Sequence, residues 1–333
     1  VTRTEVTPRT RARRRATRAR ARRNRVIGVV AQTVAAVVAL AALGGVLSGG
    51  QWPWVLATYL RWPQTIVMVV AAATLLRLGW WRSGVPAVVV AGTMIISLIT
   101  PLRALETVEA APGESLRIAV YNTGFEAGDT EGFADAINDA DADLVVLLES
   151  EDIADDLDRR LDGYALLSAP APGDAATAPP VVLARAAWPA AVVPVDGGRP
   201  VTVVSAEVAG RPLDVVAFHP LPPVVQRWAE SHRRSIAALT DGVLPRDVPH
   251  VVACDCNTTP WSPSMRRLLD AGLRGPTVVP TFGAPGVGIP LDHVLLSDEV
   301  HAVAREHGAF AGSDHRMIVT EVTLTPRETA ARR

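Results

Sequence analysis

The chain divides by the pattern of its apolar positions. From Val26 to Ser48 no residue is charged, and the run is long enough to cross the roughly 30 Å hydrocarbon core of a bilayer as one helix. Two further apolar runs follow, so the pattern predicts an all-α transmembrane region over 26–102 with spans at about 26–48, 63–81 and 85–102. A cleaved signal peptide has an apolar core of only about 7 to 15 residues, so a retained anchor is expected. Beyond residue 103 the pattern changes to short apolar runs of strand length, at 116–121, 144–148, 180–185, 201–208, 213–218, 250–256, 291–297 and 316–324. Helical patterns at about 130–140, 223–240 and 262–271 alternate with them, which predicts one α/β domain over 103–333. Residues 169–180, dominated by Pro, Ala and Gly, predict a loop.

Charge sharpens this division. Of the 33 basic and 34 acidic residues, 14 basic and one acidic lie before residue 103, leaving 19 and 33 after it, so the two parts carry formal charges of +13 and −14. Residues 1–25 hold 11 Arg and no apolar face, and they predict a disordered cytoplasmic tail that sets topology, with binding of nucleic acid or anionic lipid as the alternative. Arg77 and Arg82 mark the second cytoplasmic side, so three crossings place the α/β domain outside the cytoplasm, with the bilayer as a partner. Trp52, Trp54, Tyr59 and Trp62 predict a membrane-surface anchor between the first two spans, with a ligand cage as the alternative. Cys254 and Cys256 are the only cysteines, which excludes a disulfide-built scaffold. As an i, i+2 pair on an extended strand they are expected to be reduced, packed thiols.

The candidate chemistry lies at strand ends, where loops of an α/β domain collect functional groups. Six predicted strands begin or end in unusual polar residues, at Asn122, Glu149, His219, the Cys254-Asp255-Cys256-Asn257 run, Asp292-His293 and Ser313-Asp314-His315. Each alone is an ordinary turn or solvated residue. Together they supply carboxylates for a hard cation, imidazoles for charge and proton transfer, and amides for phosphate oxygens, an inventory for metal-assisted phosphoester hydrolysis.

Taken in order, Asn122, DADLVVLLES with Glu149, VVAFHP with His219, ACDCNTTPWSP with Asp255 and Asn257, LDHVLLS with Asp292, and the SDH of 313–315 resemble the endonuclease/exonuclease/phosphatase superfamily, over about 115–324. That is the fold group of deoxyribonuclease I, apurinic endonucleases and neutral sphingomyelinases. The resemblance implies a deoxyribonuclease I-like four-layer α/β sandwich with its site where the strand ends of two sheets meet. It implies Glu149 as principal Mg²⁺ ligand, with Mn²⁺ as a substitute, Asp314 as a further metal-site carboxylate, and Asn122 as the amide that helps organise both the metal and the phosphate. It implies Asp255 as the carboxylate acting on the attacking water, and Asn257 as a phosphate-holding amide on the same strand face. It further implies His315, fixed by Asp292, as the histidine contacting the scissile phosphate, and His219 as a second phosphate-facing histidine and leaving-group proton donor. His293 is expected to be structural.

Three positions depart from the family pattern: Gly124 where an Asp is frequent, Pro290 where a basic residue is frequent, and Cys256 where a large apolar residue is usual. The expectation is a membrane-anchored Mg²⁺-dependent phosphoesterase using in-line attack by water. The acidic outer domain favours a small phosphoester or lipid headgroup over nucleic acid, whose grip rests on Lys and Arg. A nuclease acting on extracellular DNA or RNA is an alternative substrate class, and a catalytically silent phosphate-binding or scaffolding module on the same fold is the alternative function.

Overall fold

A computed structural model describes residues 8–103, 107–111, 113–124, 130–150, 153–161, 163–168, 178–244, 247–284 and 287–325. Residues 1–7 of the basic tail and 169–177 of the expected loop lie outside the described residues. The rest of the tail differs from expectation: helix α1 starts at Pro8 and runs without a break to Leu47. Arg and Ala are among the better helix formers, so the apolar helix propagates into the basic segment. Its 40 residues reach about 60 Å, twice the hydrocarbon thickness, and the arginine half extends beyond the apolar half. α2 (Leu56–Tyr59), α3 (Arg61–Arg77) and α4 (Trp81–Ile99) follow.

Among the described residues two helices, α1 and α4, have the length and hydropathy to cross a membrane. α3, with 17 residues and about 26 Å, is slightly short, because the chain turns at Leu78–Trp80 and Trp81 opens α4 instead of closing the second expected span. The helices meet over Ala31 and Ala35 of α1, Ala71 and Ala72 of α3 and Ala87 and Ala91 of α4, small residues that let the backbones approach closely, with Met68, Leu75 and Met94 buried among them.

The α/β domain begins with β1 (Leu116–Asn122), α5 (Thr130–Ala140), β2 (Leu144–Leu148), α6 (Ala154–Arg160), β3 (Ala165–Ser168), β4 (Val181–Ala184), β5 (Ala190–Val193), β6 (Val201–Val208) and β7 (Arg211–Phe218). It continues through α7 (Gln226–Ala238), β8 (His250–Asp255), α8 (Pro263–Asp270), β9 (Phe282–Ala284), β10 (Val287–Ile289), β11 (Asp292–Leu296), β12 (Val300–His307) and β13 (Ile318–Leu324). One sheet has the order β12-β13-β1-β2-β4-β3, the other β11-β8-β7-β6-β5, and β9 and β10 form a separate hairpin.

Alternation along the strands sorts their side chains into three cores. Ile118 and Val120 of β1, Val146 of β2, Val215 of β7 and Ala253 of β8 fill the space between the two sheets. Ala119 and Tyr121 point the other way, against Phe133 and Ile137 of α5 and Leu157 of α6. Val216, Phe218 and Cys254 pack on Ile236 of α7 and on Met265 and Leu268 of α8. The order helix, sheet, sheet, helix is the expected four-layer sandwich. Within each sheet one pair is parallel, β1 with β2 and β7 with β8, and the carboxyl ends of these four strands converge at one edge of the sandwich.

Candidate active site

Asn122 closes β1, Glu149 follows β2, His219 follows β7 and Asp255 closes β8. β11 runs antiparallel to β8 in a register that sets Asp292 directly opposite Asp255. β13 runs antiparallel to β1, which brings the preceding loop with Asp314 and His315 to the same edge. Ser313 ties that loop down: its Oγ donates to the Asn122 carbonyl at 2.7 Å and accepts from the His315 amide at 2.9 Å. Glu149 and Asn257 have left-handed backbones, φ 55° and 44°. Such conformations in residues other than glycine cost energy and concentrate at functional sites.

Asp255 is the hub. Its Oδ2 accepts from Asn122 Nδ2 at 3.0 Å and its Oδ1 from the Asn257 backbone amide at 2.9 Å. His315 Nε2 lies 3.8 Å from the same Oδ2, while its Nδ1 pairs with Asp292 Oδ2 at 2.8 Å. His219 Nε2 faces two carboxylates, Glu149 Oε1 at 3.3 Å and Asp255 Oδ2 at 3.6 Å. The Arg199 guanidinium, which can only donate, reaches both ring nitrogens, with Nδ1 the nearer and Nε2 at 3.3 Å; because Nε2 also faces the two carboxylates, a neutral ring accepts at Nδ1 and carries its proton on Nε2.

Burial fixes the charge states. Burial, reinforced by the charge of Asp292, raises the Asp255 carboxyl to about 7. Burial alone would neutralise His315, but the charge and hydrogen bond of Asp292, aided by Asp255, push it up to about 10, so it is a cation. His219 goes the opposite way: burial and the charges of Arg199 and His315 hold it well below its usual range. One site thus holds one cationic and one neutral imidazole.

Asn122, Glu149, His219, Asp255, Asn257, Asp292, Asp314 and His315 all fall at this edge, and five of them (Glu149, Asp255, Asn257, Asp314, His315) line a cavity of about 900 Å³ there. Asn257 is placed by its left-handed turn instead of by strand alternation, and its Nδ2 donates to the Pro220 carbonyl at 3.0 Å. His293 is structural, its Nδ1 accepting from the Thr277 amide and its Nε2 donating to the Thr258 carbonyl. The cysteine expectation is overturned: Cys254 and Cys256 form a disulfide. The strand stops at Asp255, so the Cα atoms close to 4.9 Å, within bridging range, and both side chains point into the core behind Asp255. Gly124 has φ 76°, and its amide donates to Asn122 Oδ1 at 2.9 Å; a Cβ there would sit 3.6 Å from Asp314 Oδ1. Asp314 thus already places a carboxylate beside the position where the pattern would have another.

The donor set fits a hard divalent cation. Glu149 and Asp255 converge on one imidazole nitrogen, and their crowding contributes to the raised Asp255 carboxyl, a repulsion that a cation relieves. Ligating atoms of Asp255, Asp292 and His315 also lie within 4.8 Å of one another, but a protonated imidazole has no lone pair to give, and its Nδ1 is already hydrogen-bonded to Asp292, so this trio reads as an ion-paired group and not as a ligand set.

Two residues at this edge lie outside the expected catalytic set. Arg199, 4 % exposed, lies in a Gly-Gly-Arg-Pro turn that carries no motif. Tyr59, from the aromatic segment between α1 and α3, lines the cavity and donates from its hydroxyl to the Asn257 carbonyl at 2.6 Å.

Residues 119–315 match the family described as the Endonuclease/Exonuclease/phosphatase family. No curated protein matches the sequence. The fold is similar to that of an endonuclease/exonuclease/phosphatase from Beutenbergia cavernae, with 22 % identity, TM-score 0.51, and 66 % of this chain and 74 % of that one covered. It is also similar to the human Nocturnin catalytic domain with bound sulfate anion, with 14 % identity, TM-score 0.53, and 68 % and 98 % covered.

Proposed function

The chain belongs to the endonuclease/exonuclease/phosphatase family and is a metal-dependent phosphoric ester hydrolase; from that premise we propose that it is a membrane-anchored, Mg²⁺-dependent phosphoesterase in which water attacks phosphorus in line. One observation carries this reading: six strand ends from two sheets deliver a positioned carboxylate, Asp255, beside a buried cationic histidine, His315.

Glu149, with Asn122 and Asp314 alongside, would hold the cation, which supplies charge neutralisation of the phosphate and of the charge developing on it. Asp255, fixed through both oxygens, takes the proton of the attacking water. The His315 imidazolium faces a phosphate oxygen, and Asp292 keeps it charged and oriented. The same imidazolium protonates the departing oxygen. His219 is assigned differently from the expectation: held neutral, with its Nε2 proton toward Glu149 and Asp255, it positions those carboxylates. Asn257 keeps a second amide hydrogen for a phosphate oxygen.

The arginine distribution supports an arrangement with the N-terminus in the cytoplasm and the catalytic domain outside. The formal charge of −14 beyond residue 102 weighs against duplex nucleic acid and toward a small phosphoester or lipid headgroup. The test is hydrolysis of bis-p-nitrophenyl phosphate by the full chain in detergent, titrated with Mg²⁺ or Mn²⁺ and stripped with EDTA. Turnover should require the metal, and Glu149→Gln should raise the Mg²⁺ concentration needed for half activity. Metal-independent turnover, or none by the folded protein, overturns the reading.

A further inference from the structure

Resting on the phosphoesterase reading, we propose that the substrate is a phosphoester lipid taken directly from the bilayer, with α2 forming the membrane-side wall of the site. The cavity at Asp255 does not belong to the α/β domain alone, since Leu56, Tyr59 and Leu60 close one side of it. Four contacts hold that wall in place. Tyr59 donates to the Asn257 carbonyl at 2.6 Å, Thr259 Oγ1 to the Thr58 carbonyl at 3.3 Å, and Trp52 Nε1 to the Val224 carbonyl at 3.2 Å, while Trp62 meets Trp261 edge-on with centroids 6.3 Å apart. A site made for a soluble ester has no need of a wall built from a membrane anchor.

The chemistry of the walls names the ligand. The floor is polar, with Glu149, Asp255 and His315 where a phosphate is read, whereas Val224, Phe282, Ile289 and Leu291 flank it with apolar surface. Ile289 and Leu291 bracket Pro290, so the stretch where the family pattern frequently has a basic residue is apolar here. Leu60 is 55 % exposed, and two residues on, Trp62 begins a groove of about 230 Å³ between α3 and α4, lined by Ile66, Val69, Ile95 and Ile99. Indole side chains settle at headgroup depth, so the exposed Trp52, Trp54 and Trp62 set the wall beside the catalytic floor at the level where lipid phosphates lie.

In-line attack by water held at Asp255 puts the departing oxygen on the opposite side of phosphorus, within the cavity that Leu56 and Leu60 also line. The bond from water oxygen to phosphorus forms as the bond from phosphorus to the lipid alcohol breaks. Asp255 takes the water proton, His315 gives one to the lipid alkoxide, and Asp255 restores it, so both groups end as they began.

The full chain is reconstituted in vesicles of phosphatidylcholine mixed with phosphatidylglycerol, phosphatidylethanolamine or phosphatidylinositol, with Mg²⁺. The corresponding deacylated glycerophosphodiesters and bis-p-nitrophenyl phosphate serve as soluble substrates. Bilayer lipid should be cleaved to a neutral lipid alcohol and a phosphorylated headgroup, faster than its deacylated counterpart. Leu56→Ser with Leu60→Ser should lower kcat/KM on bilayer lipid by about tenfold more than on the soluble diester, the scale of losing a leucine's apolar contact. Equal rates on acylated and deacylated compounds, or hydrolysis confined to soluble esters or nucleic acid, overturn the lipid assignment and leave the phosphoesterase reading intact. Silence on every ester overturns both.

Discussion

Replacing Asp292 by Asn tests the Asp292–His315 pair behind the site. Asp292 is fully buried, and its Oδ2 is 2.8 Å from His315 Nδ1. It is the main reason that His315, ordinarily near 6.5, is pushed up to about 10, a rise worth about 5 kcal/mol in favour of the imidazolium. An amide keeps the shape and can still accept a hydrogen bond, but it carries no charge. Burial, which opposes the imidazolium, is then countered chiefly by Asp255, and His315 becomes neutral at neutral pH. Loss of that cation should lower kcat/KM on bis-p-nitrophenyl phosphate by about 10² to 10⁴. Stability gives an independent readout. A group protonated up to about 10 when folded and only to 6.5 when unfolded stabilises fully below pH 6.5, and this is lost as pH rises to about 10. The apparent melting temperature of the wild type should therefore fall across that interval, and that of Asp292→Asn should be flatter. Turnover within about threefold of wild type, less than the usual contribution of one catalytic group, together with an unchanged alkaline slope, would refute this role of Asp292.

Other predictions concern the scaffold. Burial lowers His293 to about 4, so between pH 6.5 and 4 the unfolded chain binds the extra proton and up to about 3 kcal/mol of stability is lost. His293→Gln should soften that acid-side loss in a melting-temperature series, and an identical acid limb would contradict it. Phe133→Ala removes a fully buried ring that meets Tyr121 edge-on at 5.4 Å, next to Asn122, and should cost about 3 to 5 kcal/mol in denaturant unfolding. Thiol titration of the protein denatured without reductant should find none; two free thiols would contradict the Cys254–Cys256 link.

The central strands and their polar termini were legible because parallel strands buried on both faces leave uninterrupted apolar runs, and Asn122, Glu149, His219 and Asp255 stand out at their ends. β12 was not, because its edge position lets His301, Arg305 and Glu306 break the apolar pattern. β3 and β5 were not expected either: unlike the equally short but fully buried β4, they are sheet-edge strands with exposed or half-buried positions. The disulfide was hidden by the assumption that extended geometry continues to Cys256, whereas the strand stops at Asp255. Arg199 and Tyr59 were invisible for another reason: each reaches the site through tertiary packing from a segment whose local composition points elsewhere, a glycine turn in one case and a membrane-surface anchor in the other.

The most direct test of the phosphoester-hydrolase account is the Mg²⁺-dependent turnover of bis-p-nitrophenyl phosphate by the full chain beside Asp255→Asn, which keeps the shape of the hub and removes its capacity to take a proton. Wild-type turnover abolished by EDTA and lost in the folded variant is the predicted result. A variant as active as the wild type would contradict the assignment of Asp255 and, with it, the mechanism built around this edge of the sandwich.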